Sequence, residues 1–399
     1  MASKSAHVLV ETLVAASNGL QSDFSGTKRV LRIALLSTTR RVEKGSMAAF
    51  SGLLRQSLQD HIPWLDVCLV DLRDEPVRPL PSIARHWSAI REIRRARSIA
   101  AHTKADVYHV LDGSYGYMGW GVPLARTLVT VHDWIPALQS EGRFAVARPG
   151  WQARRIIRSS LRFARQAALV CSDSAATARD LFDLTGRQAD AVVHLALRPM
   201  PEPMAGVEGF RVGGPLILHV GNNGFYKNRL GAVRVFAQMA RFRLGMSLVL
   251  AGAAPDAELL GLVDALGLKE HVHFFVEPDD AMLATLYARA SLLLFPSLYE
   301  GFGWPPLEAM SYGCPVICSN AGSLPEVVGN AAVIGDPGDI PGFAAAALRV
   351  LEDEALAATL IARGRQHVER FSAQRMAEQY ATLYRKIATM SAGAPSRAN

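Results

Sequence analysis

Short apolar runs alternate with stretches of helical periodicity along most of this chain. A continuous apolar run of this length is typical of a strand buried on both faces of a parallel sheet. Strand alternating with helix therefore predicts an α/β architecture with parallel sheets. The predicted strands cover 29–36, 66–70, 107–111, 128–131 and 169–171 in one series and 216–220, 247–251, 271–276, 291–295 and 315–318 in a second. The predicted helices include 47–58, 175–184, 227–242, 256–266, 279–288, 353–370 and 373–390.

A segment rich in proline and glycine at 199–214 separates the two series and has the composition of a linker. We therefore predict two successive doubly wound, Rossmann-like domains at 28–205 and 206–372. An N-terminal extension at 1–27 precedes them, and a C-terminal segment at 373–399 follows, whose helix crosses back to the first domain. Because open parallel sheets bind ligands at the carboxyl ends of their strands, a nucleotide site is expected in the cleft between the domains.

Length, hydrophobic content and cysteine spacing limit the kinds of protein that this chain can be. With 399 residues, half of them hydrophobic, the chain can bury more than one core. No apolar run approaches the roughly 18 residues of a membrane-spanning helix, and the N-terminus lacks the pattern of a secretory leader. The cysteines have neither Cys-x-x-Cys nor zinc spacing, so we interpret them as reduced thiols of a cytoplasmic protein. They are Cys68, Cys171, Cys314 and Cys318.

Part of the net charge of +7 lies on a predicted amphipathic helix at 151–166. Such a helix suits anionic lipid headgroups or a phosphorylated acceptor, and a solvated helix face is the alternative. Nucleic acid is not an expected partner, because few aromatic residues for base stacking interleave with the basic ones. The predicted basic face has Arg154, Arg158, Arg162 and Arg165, and the apolar face has Ile157, Leu161, Ala164 and Ala168.

Two glutamates, Glu300 and Glu308, flank a glycine turn just past the strand at 291–295. Pro305 and Pro306 suit the first turn of a helix, where a missing N–H group costs nothing. Glu300 then lies at the carboxyl end of a strand, and Glu308 about one turn into the helix. Two carboxylates directed at one polyhydroxylated molecule are a carbohydrate-like arrangement. The alternative is a buried acid in a loop and a surface glutamate.

Glycine turns can supply backbone donors to the same ligand. Gly301 and Gly303 allow the backbone to approach phosphate or sugar oxygens closely. A second turn, Gly221 to Gly224, leads towards Lys227, whose point charge suits a diphosphate. It has neither the Walker A ending nor the spacing of a dinucleotide fingerprint, so a solvated lysine beside an ordinary turn is the alternative.

Polar residues follow several strands of the first domain. His132 can exchange a hydrogen bond with a sugar hydroxyl, with Asp133 orienting it or contacting the acceptor; the alternative is a capping aspartate beside a structural histidine. Ser174 is expected to cap the helix at 175–184, and no Gly-x-Ser-x-Gly elbow favours a serine hydrolase. Asp112 and Gly45 are further candidates for the acceptor side.

Together and in this order, these elements resemble the retaining nucleotide-sugar glycosyltransferases of family 4, which have the GT-B fold. The resemblance covers roughly residues 30 to 390 and is most specific at Glu300-Gly301-Phe302-Gly303 with Glu308. It implies that Glu300 contacts the donor sugar, that Glu308 binds the nucleotide ribose, that Lys227 neutralises the diphosphate and that His132 meets the transferred sugar. The other donor-binding candidates are Gly221, Asn222, Gly301, Phe302, Gly303 and Leu307.

The chain departs from the family pattern near the lysine. Members commonly have an arginine a few residues before it, where this chain has Asn222 and Asn223. Compensation of the phosphate charge is then expected from Lys227, from a helix end, or from a first-domain residue such as Arg40, Arg41 or Lys44. The first-domain loop has Gly45-Ser46 in place of the familiar paired glycines.

These features predict a cytoplasmic enzyme, peripheral to the inner face of the membrane, that moves a hexose from a nucleotide sugar to a glycan or lipid-linked acceptor. GDP-mannose is the first expected donor, because Lys227-Asn228 is similar to the lysine loop of mannosyltransferases of bacterial surface polysaccharides; UDP-hexoses come next. No cofactor and no metal are expected, since no Asp-x-Asp pair is suitably placed. The alternatives are a GT-B nucleotide-sugar epimerase or hydrolase and a non-catalytic sugar-nucleotide-binding partner.

Overall fold

Two parallel six-stranded sheets form the framework of the protein in a computed structural model that describes residues 30–40, 45–73, 82–204 and 214–392. Helices cover both sheets, so the predicted α/β fold class is confirmed. The predicted N-terminal extension at 1–27 lies outside the described residues, as do Arg41, Lys44 and the middle of the linker.

The first sheet has the strand order β2-β1-β3-β4-β5-β6, with every neighbouring pair parallel. The direction in which the chain adds strands changes between β1 and β3, so their carboxyl ends border a crevice. The strands are β1 (Leu31–Arg40), β2 (Leu65–Arg73), β3 (Val107–Val110), β4 (Thr127–Val131), β5 (Leu169–Ser172) and β6 (Ala191–Val192).

The second sheet has the order β12-β11-β10-β7-β8-β9 and is also parallel. This is the strand order of dinucleotide-binding sheets, and its crevice lies between β7 and β10. The strands are β7 (Leu216–Gly221), β8 (Ser247–Gly252), β9 (Val272–Val276), β10 (Leu292–Phe295), β11 (Val316–Ser319) and β12 (Val333–Gly335).

The helices of the first domain are α1 (Ser46–His61), α2 (Ser82–His102), α3 (Ile135–Ser140), α4 (Trp151–Gln166) and α5 (Ala175–Thr185). Those of the second domain are α6 (Arg229–Ala240), α7 (Ala257–Ala265), α8 (Asp280–Arg289), α9 (Trp304–Ser311), α10 (Leu324–Val328), α11 (Ile340–Glu352) and α12 (Glu354–Val368), and α13 (Ala373–Ala392) follows them. Pro305 and Pro306 lie in the first turn of α9, as predicted.

The apolar runs predict the long strands well and the shortest ones not at all. Every strand predicted from the sequence is present within a few residues of its expected bounds. The pattern does not predict β6 and β12, because two or three residues are too few to give a periodicity. The helix predicted at 227–242 begins at Arg229 instead, and the basic helix ends at Gln166, so Ala168 is not part of it.

The carboxylate of Glu326 on α10 joins the two domains. It accepts hydrogen bonds from the N–H of Ala175, at the start of α5, at 2.8 and 3.0 Å, and from Nε2 of His194 at 2.7 Å. Burial alone would raise the pKa of Glu326, but the hydrogen bonds from His194 and Ala175 lower it. The carboxylate therefore remains ionised and caps a helix of the opposite domain.

The last helix, α13, packs against α1 of the first domain through buried tyrosines. The Tyr384 hydroxyl lies 2.8 Å from Nδ1 of His109. Thr130 Oγ1 lies 2.7 Å from Nε2 of the same ring and 3.1 Å from the Tyr380 hydroxyl. Burial lowers the pKa of His109 to about 3, so this polar cluster is neutral and holds α13 on the first sheet.

Replacing Tyr384 by Phe should test this cluster. The change leaves a buried ring nitrogen of His109 without its partner, which costs about 1–3 kcal/mol of stability. We expect a lower thermal unfolding midpoint, measured by circular dichroism. Tyr117→Phe, at a partly exposed side chain, is the matched control and should leave the midpoint nearly unchanged; equal effects of the two changes would contradict the role of the cluster.

Candidate active site

The strand order of the second sheet brings two loops together. β7 and β10 are neighbours, and the chain continues from them in opposite directions. Their carboxyl ends therefore flank the crevice in which doubly wound sheets bind ligands. The loop after β7 contains Lys227 and is called the lysine loop, and the loop after β10 contains Glu300 and is called the glutamate loop. Two residues separated by 73 positions in sequence thus meet at one point.

Lys227 and Glu300 form an ion pair at this point. The Lys227 ammonium donates to both carboxylate oxygens of Glu300, each at 2.9 Å, and the side chains are only 16% and 6% exposed. Such a pair adds little net stability, because the loss of hydration offsets most of the attraction. The pair places one charge of each sign at the strand ends.

Asn228 sets the conformation of the lysine loop. Its backbone is left-handed, with φ of 52°, which separates the 3-10 turn at Phe225–Lys227 from α6. Its side chain accepts from the N–H of Gly231 at 3.1 Å and donates to the carbonyl of Pro296 at 2.8 Å. The side chain thus caps α6 and ties the lysine loop to the glutamate loop.

The turn from Gly221 to Gly224 also contacts Arg229, which the sequence patterns do not predict as part of the site. Arg229 is 6% exposed, and its Nη1 donates to Asn223 Oδ1 and to the carbonyl of Ala253. Among the described residues, its Nε and Nη2 have no hydrogen-bond partner, and burial lowers its pKa. In the sequence, Arg229 follows Lys227 by two positions. Members of the family have their arginine before the lysine, so the family pattern does not identify Arg229.

The remaining donor-binding candidates on these loops differ in whether their side chains could reach a ligand. The side chain of Asn222 is bonded within its own turn, where it accepts from the N–H of Gly224 at 2.9 Å. Phe302 and Leu307 are buried in the hydrophobic core, at 5% and 0% exposure. Gly221 ends β7, directly before the turn. The core side chains support the loops, so any donor contact at those positions would involve the main chain.

Glu308 lies buried on α9, with both carboxylate oxygens bonded. Arg198 Nε donates to one oxygen at 3.0 Å, and the Tyr287 hydroxyl donates to the other at 2.8 Å. The glutamate is 3% exposed. The alternative of a solvated surface glutamate is therefore wrong, and Glu308 is held in one orientation.

Gly301 and Gly303 of the glutamate loop occupy positions that a larger residue would not fit. A Cβ on Gly301 would lie 1.8 Å from the carbonyl oxygen of His132, so the two domains touch there. Gly303 has a φ of 104°, which favours glycine. Ser174 caps α5 as predicted and also donates to the carbonyl of Gly301 at 2.7 Å, adding a direct bond between the domains.

His132 is oriented by Asp173, and the expectation that Asp133 orients it is wrong. Its Nδ1 lies 3.0 Å from Asp173 Oδ2 and its Nε2 lies 2.9 Å from the carbonyl of Leu111. The Asp133 carboxylate instead accepts from the N–H of Ile135 at 2.9 Å, because the chain turns into α3 there.

His132 and Asp173 share one proton and have no net charge. Both ring nitrogens face acceptors, so either the ring is doubly protonated or Asp173 holds the second proton. Burial would lower the pKa of His132, but the hydrogen bond to Asp173 and its charge raise it. Burial raises the pKa of Asp173 to about 7. The hydrogen bond therefore couples the protonation of the two side chains.

Two of the acceptor-side candidates line one cavity at the crevice of the first sheet. This cavity has a volume of about 200 Å³ and its lining includes Thr38, Gly45, Arg73, Asp112 and Tyr115. Burial raises the pKa of Asp112 to about 6. The third candidate, Asp133, does not line the cavity, and the main chain of its neighbour His132 lies against Gly301 of the second domain. Arg40 ends β1, and its side chain lies outside the described part of the protein.

Among the described residues, no cluster of three or more histidine, cysteine, aspartate or glutamate side chains could hold a metal ion. Within the same residues, no helix is both long and apolar enough to cross a membrane.

Two doubly wound domains whose strand ends face one cleft are the GT-B architecture. A sucrose-phosphate synthase from Thermosynechococcus elongatus has the same fold, with a TM-score of 0.71 and 21% identity over 90% of this chain and 99% of that one. The Anabaena protein HepE, solved in complex with UDP-glucose, gives a TM-score of 0.68 and 18% identity over 89% of this chain and all of HepE. The protein therefore has the fold of GT-B glycosyltransferases.

The match to a known sequence family lies almost entirely in the second domain. Residues 201–367 match the family model of glycosyl transferases group 1. The O-antigen chain mannosyltransferase B of Escherichia coli is 35% identical over 173 residues, which are 43% of this chain and 45% of that protein. This similarity spans less than half of that relative, and the family-model match contains Lys227, Glu300 and Glu308.

Replacing Asp173 by Asn should reverse the titration of His132. Without the carboxylate charge, burial dominates, and the pKa of His132 should fall from above its ordinary value to below it. NMR titration of the protein with ¹³C-labelled histidine would measure this. Asp183→Asn, at an exposed carboxylate of the same domain, should leave the His132 signal unmoved, and an unchanged titration in Asp173→Asn would refute the coupling.

Proposed function

We propose that the protein is a retaining glycosyltransferase that moves a hexose from a nucleotide sugar to a glycan or lipid-linked acceptor. The observation that carries this proposal is the Lys227–Glu300 pair at the crevice of the second sheet. The GT-B fold and the group 1 match of residues 201–367 support the same class of reaction.

The pair supplies the two charges that donor cleavage needs. An oxocarbenium-like transition state leaves the nucleotide diphosphate with developing negative charge, which Lys227 and the turn from Gly221 to Gly224 would stabilise. Glu300 would accept hydrogen bonds from the sugar hydroxyls and so orient the reacting carbon. Because both of its oxygens are bonded to an ammonium group, Glu300 is a poor nucleophile and acts by positioning. His132 would meet the transferred sugar from the first domain.

The proposed donor is GDP-mannose, with UDP-hexoses next. The Lys227-Asn228 loop and the similarity to a protein named O-antigen chain mannosyltransferase B support mannose. We also infer synthesis of a bacterial surface polysaccharide and a cytoplasmic site of action, for which the four free thiols give support. The reaction is proposed to need no cofactor and no metal. The cavity at Gly45 and Asp112 is the proposed acceptor side.

We further propose that α4 rests on an anionic membrane surface. Arg155, Arg158, Arg162 and Arg165 are exposed on it, and Arg154 is partly exposed. None of the five forms an ion pair with a described residue. Trp151 is 61% exposed at the start of the helix, and an exposed indole beside a basic face suits a lipid headgroup region. On the opposite face, Phe163 and Ala164 are fully buried.

Replacing Glu300 by Gln should reduce transfer by at least about 100-fold, because the sugar loses its charged acceptor and Lys227 its partner. Release of GDP or UDP from a panel of nucleotide sugars, with a cell-envelope extract as acceptor, measures the rate. Glu258→Gln, at an exposed position, is the control. Full activity of Glu300→Gln would contradict the proposed role of Glu300 in sugar transfer. Rapid conversion of the donor without an acceptor would favour an epimerase or hydrolase.

Reversing the charges of Arg154, Arg158 and Arg162 to Glu should weaken binding to anionic vesicles. Each basic residue near such a surface contributes about 1 kcal/mol, so binding should fall by more than 100-fold and should also weaken with added salt. Sedimentation with phosphatidylglycerol vesicles measures it. A variant with Arg234, Arg349 and Arg375 reversed is the charge-matched control. Binding that is absent or independent of salt in the unaltered protein would remove the membrane proposal and favour a phosphorylated acceptor or a solvated face.

A further inference from the structure

Arg198 contacts Glu308, the carboxylate that the resemblance to family 4 assigns to the ribose. It lies past β6, on the segment that connects the domains, and its side chain is 17% exposed. Its Nε donates to Glu308 at 3.0 Å and its Nη1 donates to Asp280 at 2.6 Å. One guanidinium thus bridges the buried glutamate of α9 and the first residue of α8.

Tyr287 holds the other oxygen of Glu308. Its hydroxyl donates at 2.8 Å, and its ring is fully buried and stacked on Tyr312, with 6.1 Å between the ring centroids. Each oxygen of Glu308 therefore receives one donor from the protein. Because an ionised carboxylate has about four acceptor positions, one remains on each oxygen. Two such acceptors on one carboxylate match two adjacent hydroxyls of a ribose.

The connecting segment is fixed beside this glutamate by two other hydrogen bonds. The indole N–H of Trp304 donates to the carbonyl of Ala196 at 3.0 Å, and the Tyr312 hydroxyl donates to the carbonyl of Pro201 at 2.7 Å. Arg198 lies between these two anchor points. The guanidinium is therefore presented to Glu308 by the interdomain segment and not by the second sheet.

We propose that Arg198 is a positioning residue that orients Glu308 for the two ribose hydroxyls of the donor nucleotide. The inference rests on the proposed function, with Glu308 binding the donor ribose as the resemblance to family 4 implies. A carboxylate that is 3% exposed needs a cation and hydrogen-bond donors to replace its lost hydration. Arg198 supplies that cation and fixes the plane of the carboxylate. The same contact makes ribose recognition depend on the interdomain segment.

Nucleotide binding to the full-length chain tests this role. Isothermal titration calorimetry would first identify whether GDP or UDP binds more tightly, and then compare that nucleotide with its 2′,3′-dideoxy form. The unaltered protein should prefer the ribose form. Arg198→Gln should weaken binding of the ribose form roughly 10- to 100-fold and leave the dideoxy form unchanged, so the preference disappears.

Matched variants separate positioning from a general structural effect. Arg198→Lys keeps the charge without the fork geometry and should restore part of the preference, whereas Tyr287→Phe should reduce it. Arg32→Gln, which breaks an exposed pair with Asp66 in the first sheet, should have no effect. If Arg198→Gln does not fold, the lysine and phenylalanine variants provide the same comparison.

The possible outcomes are distinct. Equal weakening of both nucleotide forms by Arg198→Gln, or a preference that survives the change, would overturn the positioning role while the proposed donor site stands. Failure of the unaltered protein to bind either nucleotide would overturn the proposed function and this inference with it.

Discussion

The two domains meet where the main chain of Gly301 lies against the carbonyl oxygen of His132. No side chain fits at position 301, since its first carbon would lie 1.8 Å from that oxygen. The hydroxyls of Ser174 and Thr177 donate to the carbonyl of Gly301 at 2.7 and 3.3 Å. Glu300 is the preceding residue, so the contact that sets the spacing of the domains also sets the position of the candidate catalytic carboxylate.

Buried charge at the cleft is neutralised by groups from separate segments of the chain. Lys227 and Glu300 come from two loops of one sheet, whereas Arg198 reaches Glu308 from the interdomain segment. Glu326 of the second domain binds His194 and caps a helix of the first. Since an unpaired buried charge costs several kcal/mol, these partners favour the arrangement in which both domains are in place. Assembly of the site and docking of the domains thus depend on the same contacts.

The sequence was sufficient for the fold because parallel strands produce unusually clear apolar runs. It also placed Lys227 and Glu300 at strand ends, and the strand order then brought them together. The partners of His132 and Glu308 were not predictable in the same way. Asp173, Arg198 and Tyr287 are distant in sequence from the residues they contact, and pairing of this kind depends on packing in three dimensions. Asp133, adjacent in the chain to His132, was the plausible but wrong choice because local turn geometry directs its carboxylate to Ile135.

Because α13 packs on the first domain through Tyr380 and Tyr384, that domain is discontinuous along the chain. A fragment that ends at the linker would leave the docking surface of this helix exposed to water. Conversely, a fragment that begins at the linker would include a terminal helix without its packing surface. An exchange of the second domain between related proteins would therefore have to stop near residue 372 and leave the last helix with its original partner. The second domain would then be exchanged as an insert between two parts of the first domain, and not as one half of the chain.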